Sequence, residues 1–265
     1  DGIVTWSVLS HNADLLATRV TIFDDEGNVV ADETGANAQT RIPSGHLWQP
    51  GQGYLYEAEI SLVNGDEVID AYRQAFGVRT IRVDGTCLLI NGEPVYLTGF
   101  GMHEDHQTIG KAHNDALMLR DAACLEWVGA NSLRTSHYPY SEHILDYADR
   151  HGLLVIDETP AVGMNMGLGG GIFGTQGYTT FSAETINDET QKVHAQVIRD
   201  LIDRDKNHPS IIIWSIANEP ESETEAAENY FRPLFDVAHE ADPSRPVSFV
   251  NVMLAPFGKC RVSQY

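Results

Sequence analysis

Sixteen residues, Asp205-Lys-Asn-His-Pro-Ser-Ile-Ile-Ile-Trp-Ser-Ile-Ala-Asn-Glu-Pro220, constrain the fold more than any other part of the sequence. Pro209 disfavours helix at His208, so a preceding helix must stop there. Ser210 to Ile216 is a short apolar run, rich in β-branched residues and bounded by breakers. Such a run suits a strand buried on both faces, as in a parallel sheet. Asn218 and Glu219 follow it, and Pro220 stops it from continuing. A strand that delivers Asn-Glu at its C-terminal end is what a (β/α) barrel uses to place an acid in its active-site mouth. Asn-Glu-Pro alone is weak, because a polar turn after a strand has the same composition.

The residues before this stretch divide into two patterns. Residues 1–80 read as all-β, with strands expected over Ile3 to Leu9, Leu16 to Phe23, Val29 to Ala31, Tyr54 to Leu62 and Val68 to Val78. Asp24-Asp-Glu-Gly-Asn28 and Asn64-Gly-Asp66 supply turns that tolerate positive φ. Short strands separated by such turns imply a sandwich. Trp48 is expected in the core or between domains.

Near Thr80 the period changes. Ile81 to Thr86 and Leu88 to Pro94 read as a hairpin closing the bottom of a barrel, and strands then alternate with amphipathic helices. The expected order begins with a strand from Val95 to Gly99. A helix follows from Asp115 to Val128, N-capped by Asn114, with Leu117, Cys124 and Trp127 or Val128 on its inner face. Next come a strand from Asn131 to Thr135, a helix from Ser141 to His151 ending at Gly152, and a strand from Leu153 to Ile156. A glycine-rich loop runs from Gly163 to Phe181, and a helix from Glu184 to Lys206 carries the stripe Val193, Val197 and Leu201. Beyond the opening stretch, Ser222-Glu-Thr-Glu225 reads as a capping box for a helix carrying Tyr230, Leu234, Val237 and Ala241. Pro246 to Asn251 then begins another strand.

This alternation implies a parallel sheet. A closed (β/α)8 barrel has eight strands in about 250 residues, and residues 81–265 offer only the first five. The chain therefore reads as an internal fragment of a longer protein, cut at both ends. Residues 1–80 would form a partial β-sandwich, and residues 81–265 the N-terminal part of an incomplete TIM barrel.

Charge narrows the partners. A formal net charge of −21 over 265 residues argues against nucleic acid and anionic membranes, which require basic surfaces. No run of about 18 apolar residues is present to cross a membrane. An anionic substrate would need local cationic groups, because the overall field repels it. The three cysteines, Cys87, Cys124 and Cys260, are odd in number and lack metal-type spacing, so they read as reduced thiols of a cytoplasmic protein.

Four segments carry a family resemblance. The opening stretch, from Asp-Lys-Asn-His-Pro-Ser to Asn-Glu, resembles the acid/base signature of glycoside hydrolase family 2. Asn131-Ser-Leu-Arg-Thr-Ser-His-Tyr-Pro139 resembles that family's other signature. Gly99-Phe-Gly-Met-His-Glu-Asp105 and Val155-Ile-Asp-Glu-Thr159 are similar to further segments, in the family's order. The resemblance runs from about Val4 to Met253, and within the family it is best to the bacterial β-glucuronidases. It implies that the first domain is immunoglobulin-like and lacks its first strand. It also implies that the sugar-binding-type β-domain that normally precedes it is absent.

The resemblance also implies roles. Glu219 would be the general acid/base and Asn218 would hydrogen-bond the sugar 2-hydroxyl. Arg134 would orient the nucleophile, and would face water where the nucleophile is missing. His137 would contact the sugar, and His103 and Asp105 would line the same pocket. Asp157 and Glu158 would serve structural hydrogen bonding. The nucleophile and the Asn-x-Lys pair that binds a sugar carboxylate would lie beyond Tyr265. Related β-galactosidases hold magnesium with a Glu and a His where this chain has Thr159-Pro-Ala-Val-Gly163. No metal and no other cofactor is therefore expected.

The glycine-rich loop, with Met164, Met166, Leu168, Ile172 and Phe173, would overhang the leaving-group side. The implied function is a fragment of a retaining hydrolase of β-D-glucuronides, small-molecule or glycan, inactive by itself and drawn from a homo-oligomeric parent. Two alternatives remain: another family 2 glycosidase of β-galactosidase or galacturonidase type, or a non-catalytic carbohydrate-binding scaffold.

Overall fold

A computed structural model of the chain describes residues 2–13, 15–166 and 179–252. Cys260 and residues 167–178 of the glycine-rich loop, with Leu168, Ile172 and Phe173, lie outside the described residues.

The first six strands make two antiparallel sheets. β1 (Gly2–Ser7) pairs with β4 (Asn37–Ile42). The second sheet has the order β3 (Val29–Thr34), β2 (Ala17–Phe23), β5 (Tyr56–Asn64) and β6 (Glu67–Phe76). Val20, Ile22, Ile42 and Tyr56 are buried between the sheets, with Val4, Trp6, Ile60 and Phe76 packed around them. The turn before β3 is built by Asp24, whose Oδ1 accepts from the backbone N–H groups of Glu26 at 3.0 Å and Asn28 at 2.7 Å. The β5–β6 turn passes through Gly65 at φ 61°, where glycine avoids the Cβ clash. β4 was not expected from the sequence. Its half-buried positions hold Ala38 and Thr40, and only Ile42 is fully buried, so no large apolar alternation marks it.

β7 (Ile81–Asp84), β8 (Cys87–Ile90) and β9 (Glu93–Val95) form a small antiparallel sheet. Val95 pairs with Leu88 there, so the first barrel strand does not begin at Val95. It is β10 (Gly99–Met102), followed by a short hairpin of β11 (Asp105–His106) and β12 (Gly110–Lys111). β10 lies in a five-stranded parallel sheet with β13 (Ser132–Thr135), β14 (Leu154–Glu158), β15 (Ile211–Asn218) and β16 (Val247–Val250), in chain order. Sequential parallel neighbours are the order of a barrel wall. Ile211, Ile212, Trp214, Ile216 and Ala217 of β15 are all buried, as a strand covered on both faces requires.

Among the described residues the four long helices are α1 (Asp115–Trp127), α2 (Glu142–His151), α3 (Asp188–Asp205) and α4 (Glu225–Ala241). Asn114 caps α1 by accepting from Leu117 N, and α2 runs from the Ser141 cap to Gly152, left-handed at φ 67°. Three expectations are corrected. Met118, Ala122 and Leu125 face the α1 core, whereas Cys124 is exposed and Trp127 is 86% exposed. The inner stripe of α3 is His194, Ile198, Leu201, Ile202 and Asp205, with Val193 exposed. Two polar residues in that stripe hid its true phase. His194 bonds the Ile216 carbonyl at 2.7 Å, and Asp205 pairs with Arg204. The cap of α4 is Thr224, not Ser222, which donates instead to Asn251.

Sandwich and barrel meet at the N-terminal ends of the barrel strands. Trp48 is fully buried against Ile90, Leu154 and Ile212, and its indole donates to the Asp149 carbonyl at 2.7 Å. Trp48 is thus interdomain packing, as expected. Asp149 also holds the chain entering β15, accepting from Ser210 N at 3.0 Å and pairing with His208 Nδ1 at 2.6 Å. Burial opposes protonation of His208, but the Asp149 carboxylate outweighs it and raises the pKa above 6.5. A raised histidine contributes stability that is complete below its unfolded value and is lost as pH climbs through its folded value. Asp149→Asn should cost about 2 kcal/mol near pH 6. Its deficit against the parent chain in urea unfolding should shrink as pH rises from about 6 to about 9. A deficit constant across that range would show that the pair does not titrate.

Candidate active site

The C-terminal ends of the barrel strands bring four polar side chains together around one buried carboxylate. Glu158, the last residue of β14, is completely buried. Its Oε2 accepts from Arg134 Nη1 at 2.7 Å and from Ser215 Oγ at 2.7 Å. Its Oε1 lies 2.9 Å from His137 Nδ1, and its backbone N–H donates to Thr135 Oγ1 at 2.9 Å. These partners sit on β13, on β15 and just past β13, so the carboxylate ties three strands. The register makes this possible by placing Glu158 beside Ser215 on the neighbouring strand. A buried carboxylate without such partners would cost several kcal/mol.

Arg134 was expected to face water. It does not: Nη1 also donates to Asn218 Oδ1 at 3.2 Å, and the side chain is only 20% exposed. The guanidinium is drawn in because Glu158 requires a cation, and it fixes the Asn218 amide with its oxygen inward. The Asn218 NH2 is then the group left to donate. His137 donates through Nδ1 to Glu158, since a carboxylate beside an arginine is an acceptor, which leaves Nε2 to meet a ligand. His103 packs edge-on against His137 with ring centroids 5.2 Å apart.

Glu219 follows β15 in an uncommon conformation, φ 49°, and its side chain is exposed. Its backbone N–H donates to the Val250 carbonyl at 2.7 Å, while Asn218 N–H donates to the Ala161 carbonyl at 2.9 Å. Among the described residues the Glu219 carboxylate has no hydrogen-bond partner. It is therefore available to protonate or deprotonate something brought to it.

The structure thus gathers Arg134, His137, Asn218 and the adjoining Glu219 with His103. Asp105 lies exposed in β11, and its side chain makes no hydrogen bond with these residues among those described. Glu158 and Asp157 do serve hydrogen bonding, Asp157 accepting from Thr135 Oγ1 at 2.8 Å. Burial, followed by the charge of Asp205, raises the Asp157 carboxyl well above the ordinary carboxylate range. What sequence reasoning missed is that Glu158 is the hub. Its sole signal was an acid pair ending a β-rich run, and the partners Ser215 and Thr135 are set by register.

The loop that leaves β14 starts beside this site. Met164 is buried in the barrel core, not displayed as loop surface, and its carbonyl accepts from Glu221 N at 2.8 Å.

Comparison with known proteins identifies the family of the two domains. The model of the TIM barrel domain of glycosyl hydrolases family 2 matches residues 81–264, and the model described as glycosyl hydrolases family 2 matches residues 3–79. The β-glucuronidase of Paenibacillus borealis is 41% identical over 248 residues, covering 93% of this chain and 40% of that protein. The β-glucuronidase of Sus scrofa is 37% identical over 257 residues, covering 94% and 37%. This chain spans about two fifths of the length of these curated relatives. Among solved structures, the Dictyoglomus thermophilum β-D-glucuronidase superposes with a TM-score of 0.88 at 38% identity, over 100% of this chain and 45% of that one. A Ruminococcus gnavus β-glucuronidase gives 0.90 at 39% identity, over 98% and 43%. Two family models that together run from residue 3 to residue 264 place this chain in family 2 of the glycosyl hydrolases.

Proposed function

We propose that this chain carries the acid/base half of a retaining β-glucuronidase, with Glu219 as the general acid/base. The observation that carries the reading is an exposed carboxyl group, unpartnered among the described residues, at the end of β15, directly after an asparagine whose amide is held by Arg134. The β-glucuronidase relatives supply the substrate class, a β-D-glucuronide. Residues 1–80 act in this reading as the supporting sandwich and residues 81–265 as the catalytic part. A homo-oligomer rests on the family resemblance alone. A cytoplasmic setting draws support from the free thiols of Cys87 and Cys124.

In the first step Glu219 gives its proton to the glycosidic oxygen as the bond to the anomeric carbon breaks. A second carboxylate, which the family carries on a later strand, forms the glycosyl ester. Glu219, now ionised, then takes a proton from water, which displaces that carboxylate and restores the β configuration. The Asn218 NH2 donates to the sugar 2-hydroxyl, a contact that strengthens as charge develops on the ring. His137, through Nε2, and His103 line the sugar side. In this reading Asp105, from the β11–β12 hairpin, lines the same pocket. Arg134 positions: it holds Asn218, and by family resemblance it orients the nucleophile through a charge-assisted bond.

Two outcomes test this. In the whole protein, hydrolysis should be found with aryl β-glucuronides and not with aryl β-galactosides or galacturonides. Glu219→Gln should lower kcat/KM about 100- to 10,000-fold for glucuronides with poor leaving groups, and far less for activated ones. Azide should restore turnover of the activated substrates. Equal losses across leaving groups would remove Glu219 from the acid role. Separately, Arg134→Gln and Glu158→Gln should be coupled by more than about 1 kcal/mol in urea unfolding, because each leaves the other's charge unpaired. Additive losses would mean that the pair is not the hub of the site.

A further inference from the structure

A second cluster of ligating groups lies outside the candidate active site. His113 follows β12, Asp115 is the first residue of α1, and His143 lies in the first turn of α2. His113 Nε2 and His143 Nδ1 both lie 2.7 Å from the same atom, Asp115 Oδ1. The two imidazoles meet edge-to-face with centroids 5.0 Å apart. One ligand atom from each of the three residues falls within 4.8 Å of the others. Behind His113, Glu104 Oε1 lies 3.1 Å from Nδ1. Glu104 is itself fixed, since its backbone N–H donates to the Tyr138 hydroxyl at 2.9 Å.

We infer that His113, Asp115 and His143 form a binding site for a zinc ion. Two imidazole nitrogens and one carboxylate oxygen, with a fourth position left to solvent, make an open tetrahedral zinc set. Imidazole donors disfavour magnesium and calcium, which take oxygen ligands. Tetrahedral zinc at about 2.0–2.1 Å from each donor sets those donors about 3.3 Å apart. The contacts at 2.7 Å therefore need to open by a little over half an ångström.

All three side chains can give that distance. Asp115 and His143 are 65% and 59% exposed, and His113 is 24% exposed. The carboxylate–histidine–metal relay is already in place, because Glu104 accepts from Nδ1 and leaves Nε2 to the ion. On binding, the proton shared between His113 Nε2 and Asp115 leaves to solvent. His143 turns its hydrogen to Nε2 and offers the Nδ1 lone pair. The positive ends of α1 and α2 oppose a cation here. Asp115 and the net charge of −21 oppose them in turn.

Among the described residues two other groupings contain potential ligands, and neither is free to bind. Both use His208, whose Nδ1 is engaged by Asp149 at 2.6 Å, and one uses Asp205, held by both arms of Arg204. The site inferred here departs from the expectation of no metal. It also lies away from Thr159 to Gly163, the segment on which that expectation rested. Zinc there would clamp the segment from Glu104 to Asp115 onto α2. That segment adjoins His103 and contains Asp105, so the ion would stiffen a wall of the candidate pocket without touching the reacting groups. The inference does not depend on the proposed reaction.

Titration of the chelator-stripped chain with zinc against a chromogenic chelator should show one ion per chain, bound at micromolar affinity or tighter, with no response to magnesium. Cobalt in place of zinc should give the visible absorption of a tetrahedral nitrogen–oxygen site. His143→Ala and Asp115→Asn should each weaken zinc more than about tenfold and abolish that absorption. Glu104→Gln, which removes no ligand, should weaken it about tenfold. Both ligand positions are exposed, so unfolding midpoints without zinc should match the parent chain and show that folding is intact. Binding no tighter than millimolar in the parent chain would overturn the inference. Equal affinity in His143→Ala and Asp115→Asn would do the same, by moving the ion elsewhere.

Discussion

The barrel wall depends on how the chain enters β15. Pro209 ends the approach from α3, and carbonyl groups along the turn into β15 accept from side chains. Two arginines are the donors. Arg245 donates to the carbonyls of Lys206 at 2.8 Å, His208 at 2.9 Å and Ile211 at 2.8 Å. Arg79, arriving from the end of the sandwich, donates to Pro209 O at 2.8 Å and Ile211 O at 3.0 Å. Both guanidinium groups are drawn out of water for this. Burial, and then the neighbouring charge of Arg245, lower the Arg79 pKa to about 9. Asp242 offsets part of that cost by pairing with Arg245 at 2.6 Å while accepting from the Trp214 indole at 2.9 Å. The sandwich thus sets the height at which β15 starts, and the height of its start fixes where Asn218 and Glu219 emerge.

The same strand is pinned at its other end by a different buried charge. Between Asp149 at the bottom and Glu158 at the top, β14 and β15 pack apolar faces whose side chains would tolerate a slip in register. The carboxylates do not. A slip of one residue would part Glu158 from Ser215 and turn their side chains to opposite faces of the sheet. Buried ion pairs contribute little net stability, but breaking one partner is costly. Here they select one register, and that register brings Arg134 within reach of Asn218.

Much of this was legible in the sequence, and the exceptions share a cause. β15 could be read because both its faces are buried, so its apolar run is continuous. Asn114, Ser141 and Gly152 could be read because caps act through local backbone geometry. β4 could not, since its inward positions are Ala38 and Thr40. The inner face of α1 was misplaced because Trp127, the largest apolar residue of that helix, is exposed. The inner stripe of α3 was misplaced because His194 and Asp205 belong to it. In the site, Glu219 and Asn218 were marked by their place after a strand. Glu158 was marked only as one acid of a pair. Its role is written in distances to Thr135, Ser215 and Arg134, residues that are brought together only by the pairing of strands.

Glu219 shows how the fold serves the proposed chemistry. A non-glycine residue at φ 49° carries a conformational cost of about 1 kcal/mol. That cost is met by the backbone on either side. Asn218 N–H is held by Ala161, Glu219 N–H by Val250, and Glu221 N–H by Met164, while Pro220 is buried. Three hydrogen bonds to three different segments fix the main chain, and none of them involves the Glu219 carboxyl. An acid that must give a proton and later take one back needs a fixed base and an uncommitted tip. Had the side chain been paired as Glu158 is, a permanent cation would have held it ionised and left no proton to give.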